Sequence, residues 1–140
     1  MAGGDCLFCA IAAGDAAGHI VLDEPDIVAV LDRRPVFKGH TLVVPREHVL
    51  TLGDLPDRLL APLFRSVQRC SEAVVSALGA QGSFVAENNV VSQAIPHLHV
   101  HVVPRTKGDG LRGFFWPRQR YADEDEMAEY AARLRAVLRQ

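Results

Sequence analysis

The sequence predicts an α+β fold: a five-stranded antiparallel sheet with one long helix and a C-terminal helix. Two observations carry this. Five short apolar runs bounded by turn residues, at 19–23, 26–31, 40–45, 83–88 and 97–103, read as strands. Between the third and fourth, apolar residues recur at helical spacing from Asp54 to about Leu78. Short meandering strands around a single inserted helix favour an antiparallel sheet over repeated crossover units.

Taken in order, residues 6–13 (CLFCAIAA) form a short helix that Gly14 ends. Residues 19–23 (HIVLD) and 26–31 (DIVAVL) are strands joined by a turn at Glu24-Pro25. Residues 33–39 (RRPVFKG) are a loop, and 40–45 (HTLVVP) the third strand. Asp54 is placed to N-cap the long helix, with Pro56 in its first turn and Gly79 as its stop. Leu59, Leu60, Leu63, Phe64, Val67, Cys70, Val74 and Leu78 make its apolar stripe. Residues 83–88 (SFVAEN) and 97–103 (HLHVHVV) are the last two strands. The segment 104–120 reads as a basic loop, with Arg105, Lys107, Arg112, Arg118 and Arg120 against Asp109. Asp123 and Glu126 have the spacing of a capping box at the start of the C-terminal helix, 123–139.

Length and composition bound the function. A chain of 140 residues fits a single domain over 1–140 and is long enough to build a core without disulfide staples. A formal charge of −2 argues against a nucleic-acid partner held by bulk charge. Residues 1–5 lack the basic start and apolar run of a signal peptide, and no apolar stretch reaches membrane-spanning length, so the expectation is a cytoplasmic protein with no membrane partner. Three cysteines do not make a full disulfide framework. Cys6 and Cys9 form a Cys-x-x-Cys pair, which in a reducing compartment reads as half a zinc site or a redox pair. Cys70 falls in the apolar stripe and reads as a small buried hydrophobe.

The strongest signal is His97, His99 and His101, spaced at two. On a strand they share one face, while Leu98, Val100 and Val102 share the other. An ordinary solvated face would carry Thr, Lys, Glu or Ser. One metal held by all three is strained, because the outer pair would stand about 13 Å apart on a straight strand. The alternative divides the labour, since imidazole serves as a base or nucleophile near neutral pH and also as a metal ligand.

This run, His97-Leu-His99-Val-His101-Val-Val, resembles the signature of the histidine triad (HIT) family. The likeness extends to residues 6–11, 30–32, 39–48 (GHTLVVPREH) and Gln93, and so covers about residues 5–110. The resemblance implies a homodimer and chemistry at the α-phosphate of a purine nucleotide, as a nucleotide hydrolase or nucleotidyl transferase. Substrates implied are nucleoside phosphoramidates or dinucleoside polyphosphates. It assigns the nucleophile to His99, with His101, His40 and Gln93 around the phosphate. Asp32 would hold the ribose, Asn88 or Asn89 would supply an amide contact, and Phe8, Ile11 and Val30 would flank the base. No metal is needed for that step. The other reading is a non-catalytic nucleotide-binding or sensing scaffold.

The chain departs from the family pattern in two places. Ala94 follows Gln93 where Ser or Thr is common, and the 88–93 stretch (NNVVSQ) is short, with Ser92 where Gly is common. The likeness to a bacterial Hint-like subgroup also implies a structural Zn²⁺ on Cys6, Cys9, His48 and His97. His19 matches nothing in the pattern.

Overall fold

The computed structural model describes residues 5–112 and 117–138. The chain divides into two compact units, Met1–Asp109 and Gly110–Gln140. In the first unit, strands β1 (Ile20–Asp23), β2 (Ile27–Leu31), β3 (Thr41–Pro45), β4 (Gly82–Ala86) and β5 (Val100–Arg105) form one sheet in the order β1-β2-β3-β5-β4. Every neighbouring pair is antiparallel. Helix α1 is Leu7–Ala13 and helix α2 is Asp57–Leu78. The expected architecture is therefore the one found.

Alternation along the strands divides the core in two. Ile27 and Ala29 of β2, Val43 of β3, and Val100 and Val102 of β5 pack against Leu59, Leu63, Val67, Cys70 and Val74 of α2. The intervening residues Val28, Val30, Leu42 and Val44 pack under Phe8 and Ile11 of α1. A seven-residue helix is too short to stand alone in water, so α1 depends on that docking. Gly14 ends it in the left-handed region at φ 82°. Beyond it, Arg46 donates to the Ala12 carbonyl at 2.8 Å and to the Glu24 carbonyl at 2.8 Å, tying the helix end to the β1–β2 turn.

Four expectations need correction. The Asp54 carboxylate does not cap α2. It turns back to accept from the Thr51 hydroxyl at 2.6 Å, stabilising a 3₁₀ turn at Leu52–Asp54, and α2 begins after Pro56. Within the α2 stripe, Leu60, Phe64 and Leu78 are exposed, because the sheet covers a narrower arc than the apolar pattern spans. The β5 ladder begins at Val100, since Leu98 instead donates its N–H to the Val49 carbonyl at 2.7 Å. At its other end β5 continues to Arg105, whose guanidinium pairs with Asp109 at 2.6 Å, so the basic loop starts later and with less net charge.

In the second unit, α3 (Glu124–Leu138) follows Asp123, whose carboxylate accepts from Glu126 N–H at 2.9 Å. The Glu126 carboxylate reaches back to Ala122 N–H. The cap expected at Asp123 is thus formed. Tyr121 and Tyr130 rings meet edge to face at 5.6 Å. Part of the expected basic loop, residues 113–116, lies outside the described residues.

One glycine supports the site directly. Gly39 sits at φ 98° just before His40, and a Cβ there would stand 2.3 Å from Leu78 Cδ1. Gly39→Ala is expected to lower stability by about 1–3 kcal/mol through both strain and overlap. Urea denaturation checks this, and an unchanged midpoint would contradict it.

Candidate active site and metal centre

Strand alternation brings the histidines to the α1 face of the sheet. His101 on β5 stands opposite Leu42 of β3, a residue of the layer under α1. His40 precedes β3, and His99 precedes β5; both are buried. The His99 and His101 ring centres are 5.0 Å apart, and those of His40 and His101 are 5.1 Å apart. The structure thus brings the rings of His99, His101 and His40 side by side.

Hydrogen bonds fix which nitrogen of each ring carries hydrogen. His99 Nδ1 lies 2.7 Å from the main-chain oxygen of His97. A carbonyl only accepts, so Nδ1 is the donor and Nε2 of the neutral ring keeps a free lone pair. For His40 the logic runs in reverse. Val36 N–H donates to His40 Nδ1 at 3.1 Å, so His40 carries its hydrogen on Nε2. That Nε2–H faces His101 Nδ1 at 2.9 Å, which leaves the His101 hydrogen on its own Nε2. One backbone amide thus sets the tautomers of two rings.

Burial favours the neutral forms of His40 and His101. It pushes His101 down to about 4, with His99 and His40 adding to the effect. Burial also lowers His40, opposed by the nearby Asp32 carboxylate. Asp32 Oδ2 is 3.7 Å from His40 Nδ1. That nitrogen already accepts from Val36, so the contact is not an ion pair. Donor atoms of Asp32, His40 and His101 lie within 4.8 Å of one another, but the facing nitrogens are already used by these hydrogen bonds.

The remaining predicted residues are placed differently. Asp32 follows β2 beside His40, and its Oδ1 accepts from Arg34 N–H at 2.8 Å. Phe8, Ile11 and Val30 are buried in the layer under α1, where the Phe8 ring meets the His99 ring at 5.1 Å. Gln93 uses both ends of its amide within the loop: Nε2 donates to the Leu50 carbonyl at 2.6 Å, and Oε1 accepts from Val90 N–H at 3.1 Å. Asn89 accepts from Leu52 N–H at 2.8 Å, and Asn88 donates to the Ser92 carbonyl at 3.3 Å. Ser92 (φ 60°) and Val90 (φ 69°) both adopt left-handed backbone. Ser92 does so where the family commonly has glycine. For the β-branched Val90 the conformation is strained.

A second cluster lies beside the first. Sγ of Cys6 and of Cys9 and Nδ1 of His48 and of His97 are all within 4.8 Å of one another. Cys6 Sγ to His97 Nδ1 is 3.2 Å, Cys9 Sγ to His48 Nδ1 is 3.3 Å, and Cys9 Sγ to His97 Nδ1 is 3.5 Å. A tetrahedral zinc with two sulfur and two nitrogen ligands spaces unlike ligand atoms about 3.5 Å apart. The donor set and its spacing therefore fit zinc. His97 Nε2 donates to the Pro45 carbonyl at 2.8 Å, which turns Nδ1 toward the thiols in the way an outer hydrogen bond orients a metal-binding ring. Burial, then hydrogen bonding and charge from Cys6, push Cys9 up to about 11; a cation between the sulfurs would reverse that.

The sequence could not identify the orienting groups Val36 N–H, Pro45 C=O and Leu50 C=O, because every residue offers such atoms. A groove of about 910 Å³ lies on the other face of the sheet, between α2 and β1–β3, lined by residues including Leu22, Leu31, Val74 and Leu78. No histidine lines it, so cavity volume does not locate the chemistry here.

Residues 13–108 match the HIT domain family model. The chain belongs to the HIT family. A HIT-family relative from Schizosaccharomyces pombe, named an adenosine 5′-monophosphoramidase, is 30% identical over 122 residues, covering 86% of this chain and 89% of that one. The crystal structure of SMU.412c from Streptococcus mutans superposes with a TM-score of 0.88 at 32% identity, covering 98% of this chain and 87% of the other. A zinc-bound histidine triad protein from Mycobacterium smegmatis superposes at 0.73 with 33% identity, covering 97% and 98%.

The lowered His101 couples stability to pH. Its folded value of about 4 lies below the ordinary 6.5, so the unfolded chain binds the proton first. Stability is expected to fall as pH drops from 6.5 toward 4. His101→Asn should make the slope shallower by up to about 1.4 kcal/mol per pH unit, read from urea titrations across that range. An unchanged slope would refute the neutral, half-buried ring.

Proposed function

We propose that this HIT protein hydrolyses purine nucleotide conjugates at the α-phosphate through a nucleotidyl-histidine intermediate on His99. The observation that carries the reading is the 2.7 Å bond from His99 Nδ1 to the His97 carbonyl, which leaves Nε2 bare and aimed by a fixed ring. In the first step Nε2 bonds to the α-phosphorus and the bond to the leaving group breaks. His101 Nε2–H lies on the neighbouring ring and hydrogen-bonds the departing atom, stabilising the charge that develops there while keeping its own proton, with His40 Nε2–H holding His101 Nδ1; the departing atom takes its proton from solvent water. Water next attacks the phosphorus, the P–N bond breaks, and a nucleoside monophosphate leaves. Asp32 is assigned to the ribose hydroxyls, and Asn88 or Asn89 and Gln93 to the phosphate once the loop turns toward it. Phe8, Ile11 and Val30 form the apolar floor near the base. Support from relatives comes from the phosphoramidase named above, whose substrate is a nucleotide conjugate of this class.

Cys6, Cys9, His48 and His97 would hold a zinc ion in a closed set of four. Such an ion supplies cross-linking and no open position for chemistry. We place the protein in a reducing cytoplasm, consistent with three free cysteines; no helix among the described residues is long and apolar enough to cross a membrane. A homodimer is proposed through the β4 edge. There Val85 on the strand and Phe64 and Leu60 on α2 stand 44%, 42% and 41% exposed, and β4 has no second neighbouring strand among the described residues.

His99→Ala is expected to abolish turnover of an adenosine phosphoramidate, by about 10⁴-fold or more, while nucleotide binding persists. Intact-mass trapping of wild type should show an adenylyl adduct that the variant lacks. Tight nucleotide binding by a wild type that turns over no conjugate would support the sensing scaffold instead. Protein purified without chelator should carry about one zinc per chain by elemental analysis, and Cys9→Ala should carry none.

A further inference from the structure

His97 takes part in both sites through different atoms. Its ring is fully buried between the thiols of Cys6 and Cys9 and the Pro45 carbonyl, and its main-chain oxygen accepts the His99 Nδ1–H. Phe8 forms a second bridge. It sits on α1 between Cys6 and Cys9, and its ring meets that of His97 edge-on at 5.7 Å and that of His99 at 5.1 Å. The His99 ring is therefore held from one side by a carbonyl belonging to a cluster residue and from another by a side chain on the helix the cluster clips. Helix α1 spans only seven residues, and its N-cap is Cys6, whose sulfur accepts from Cys9 N–H at 3.4 Å. Loosening the cluster would remove one restraint on the N-terminal turn of α1, the turn that carries Phe8.

We infer that the four-donor cluster and the His99 site form one mechanical unit, in which fixing Cys6, Cys9, His48 and His97 sets the orientation of the His99 ring. This rests on the reading of His99 as the nucleophile. His97 and Phe8 act here as positioning residues, through their contacts with the His99 ring. The cluster thereby acts on the first chemical step without supplying any atom to it.

The test compares full-length protein loaded with zinc, the same protein stripped by chelator, and two variants. Cys9→Ala removes a ligand, and Cys9→His restores one of a different kind. In ¹⁵N-histidine NMR spectra the loaded protein should show a slowly exchanging Nδ1–H proton from His99, assigned by its loss in His99→Gln. Stripping should abolish that signal and move the ring nitrogens toward a tautomer mixture, while sheet amides keep their protection. Nucleotide affinity should hold within about threefold as intermediate formation slows roughly 10–100-fold, the usual effect of losing an outer-shell partner. Zinc should restore both readouts in wild type and in Cys9→His, but not in Cys9→Ala. A His99 signal unchanged in verified metal-free protein overturns the inference. So does loss of sheet protection together with the signal, because the cluster would then hold the whole fold and not this ring. The spectra need no substrate. A wild type without turnover would sink the proposed function and leave this result to stand alone.

Discussion

The candidate site depends on the hydrogen bond between His99 Nδ1–H and the His97 carbonyl. An imidazole free to rotate and exchange tautomers presents a lone pair in several directions, and each presents it only part of the time. With one nitrogen committed to a carbonyl acceptor, the other has a single direction. The geometry is local, two residues apart in the chain, and it occurs where the backbone leaves the ladder ahead of Val100. Had the strand run through His97, alternation alone would have aimed the three rings as a straight row.

The two-layered sheet supplies the setting. β3 and β5 are interior strands, and their α2-facing residues are sealed against Leu59, Leu63 and Val67. Their other face is covered only in part, by a helix of two turns. The site occupies the margin of that thin cover, where His40 and His99 are buried and His101 is partly exposed. The long helix thus stabilises the platform, and the short one leaves it accessible.

Much of this was legible in the chain. Period-two alternation identified the strands and put His99 and His101 on one face, and the helical stripe found α2. The Cys6-x-x-Cys9 pair read as half a zinc site or a redox pair, and only the family resemblance joined His48 and His97 to it. The departures have physical causes. Asp54 had two competing uses for its carboxylate, and the turn at Thr51 won. Leu60, Phe64 and Leu78 are apolar yet exposed, because periodicity reports a face and not what covers it. Gln93 has the right chemistry, but its amide is engaged by Leu50 and Val90 through main-chain atoms, which sequence does not distinguish.

The groups that orient the site share one property. The Pro45 and His97 carbonyls, the Val36 amide, the Leu50 carbonyl and the Leu52 amide all belong to the backbone. Side-chain replacement at Val36, Leu50 or Leu52 leaves those atoms in place, and at Val36 or Leu52 only proline removes the donor. The geometry is therefore robust to most single mutations at the positions that impose it, and variation there is close to neutral. Side chains around the site, such as Ala94, can change without touching the backbone bond that orients the His99 ring.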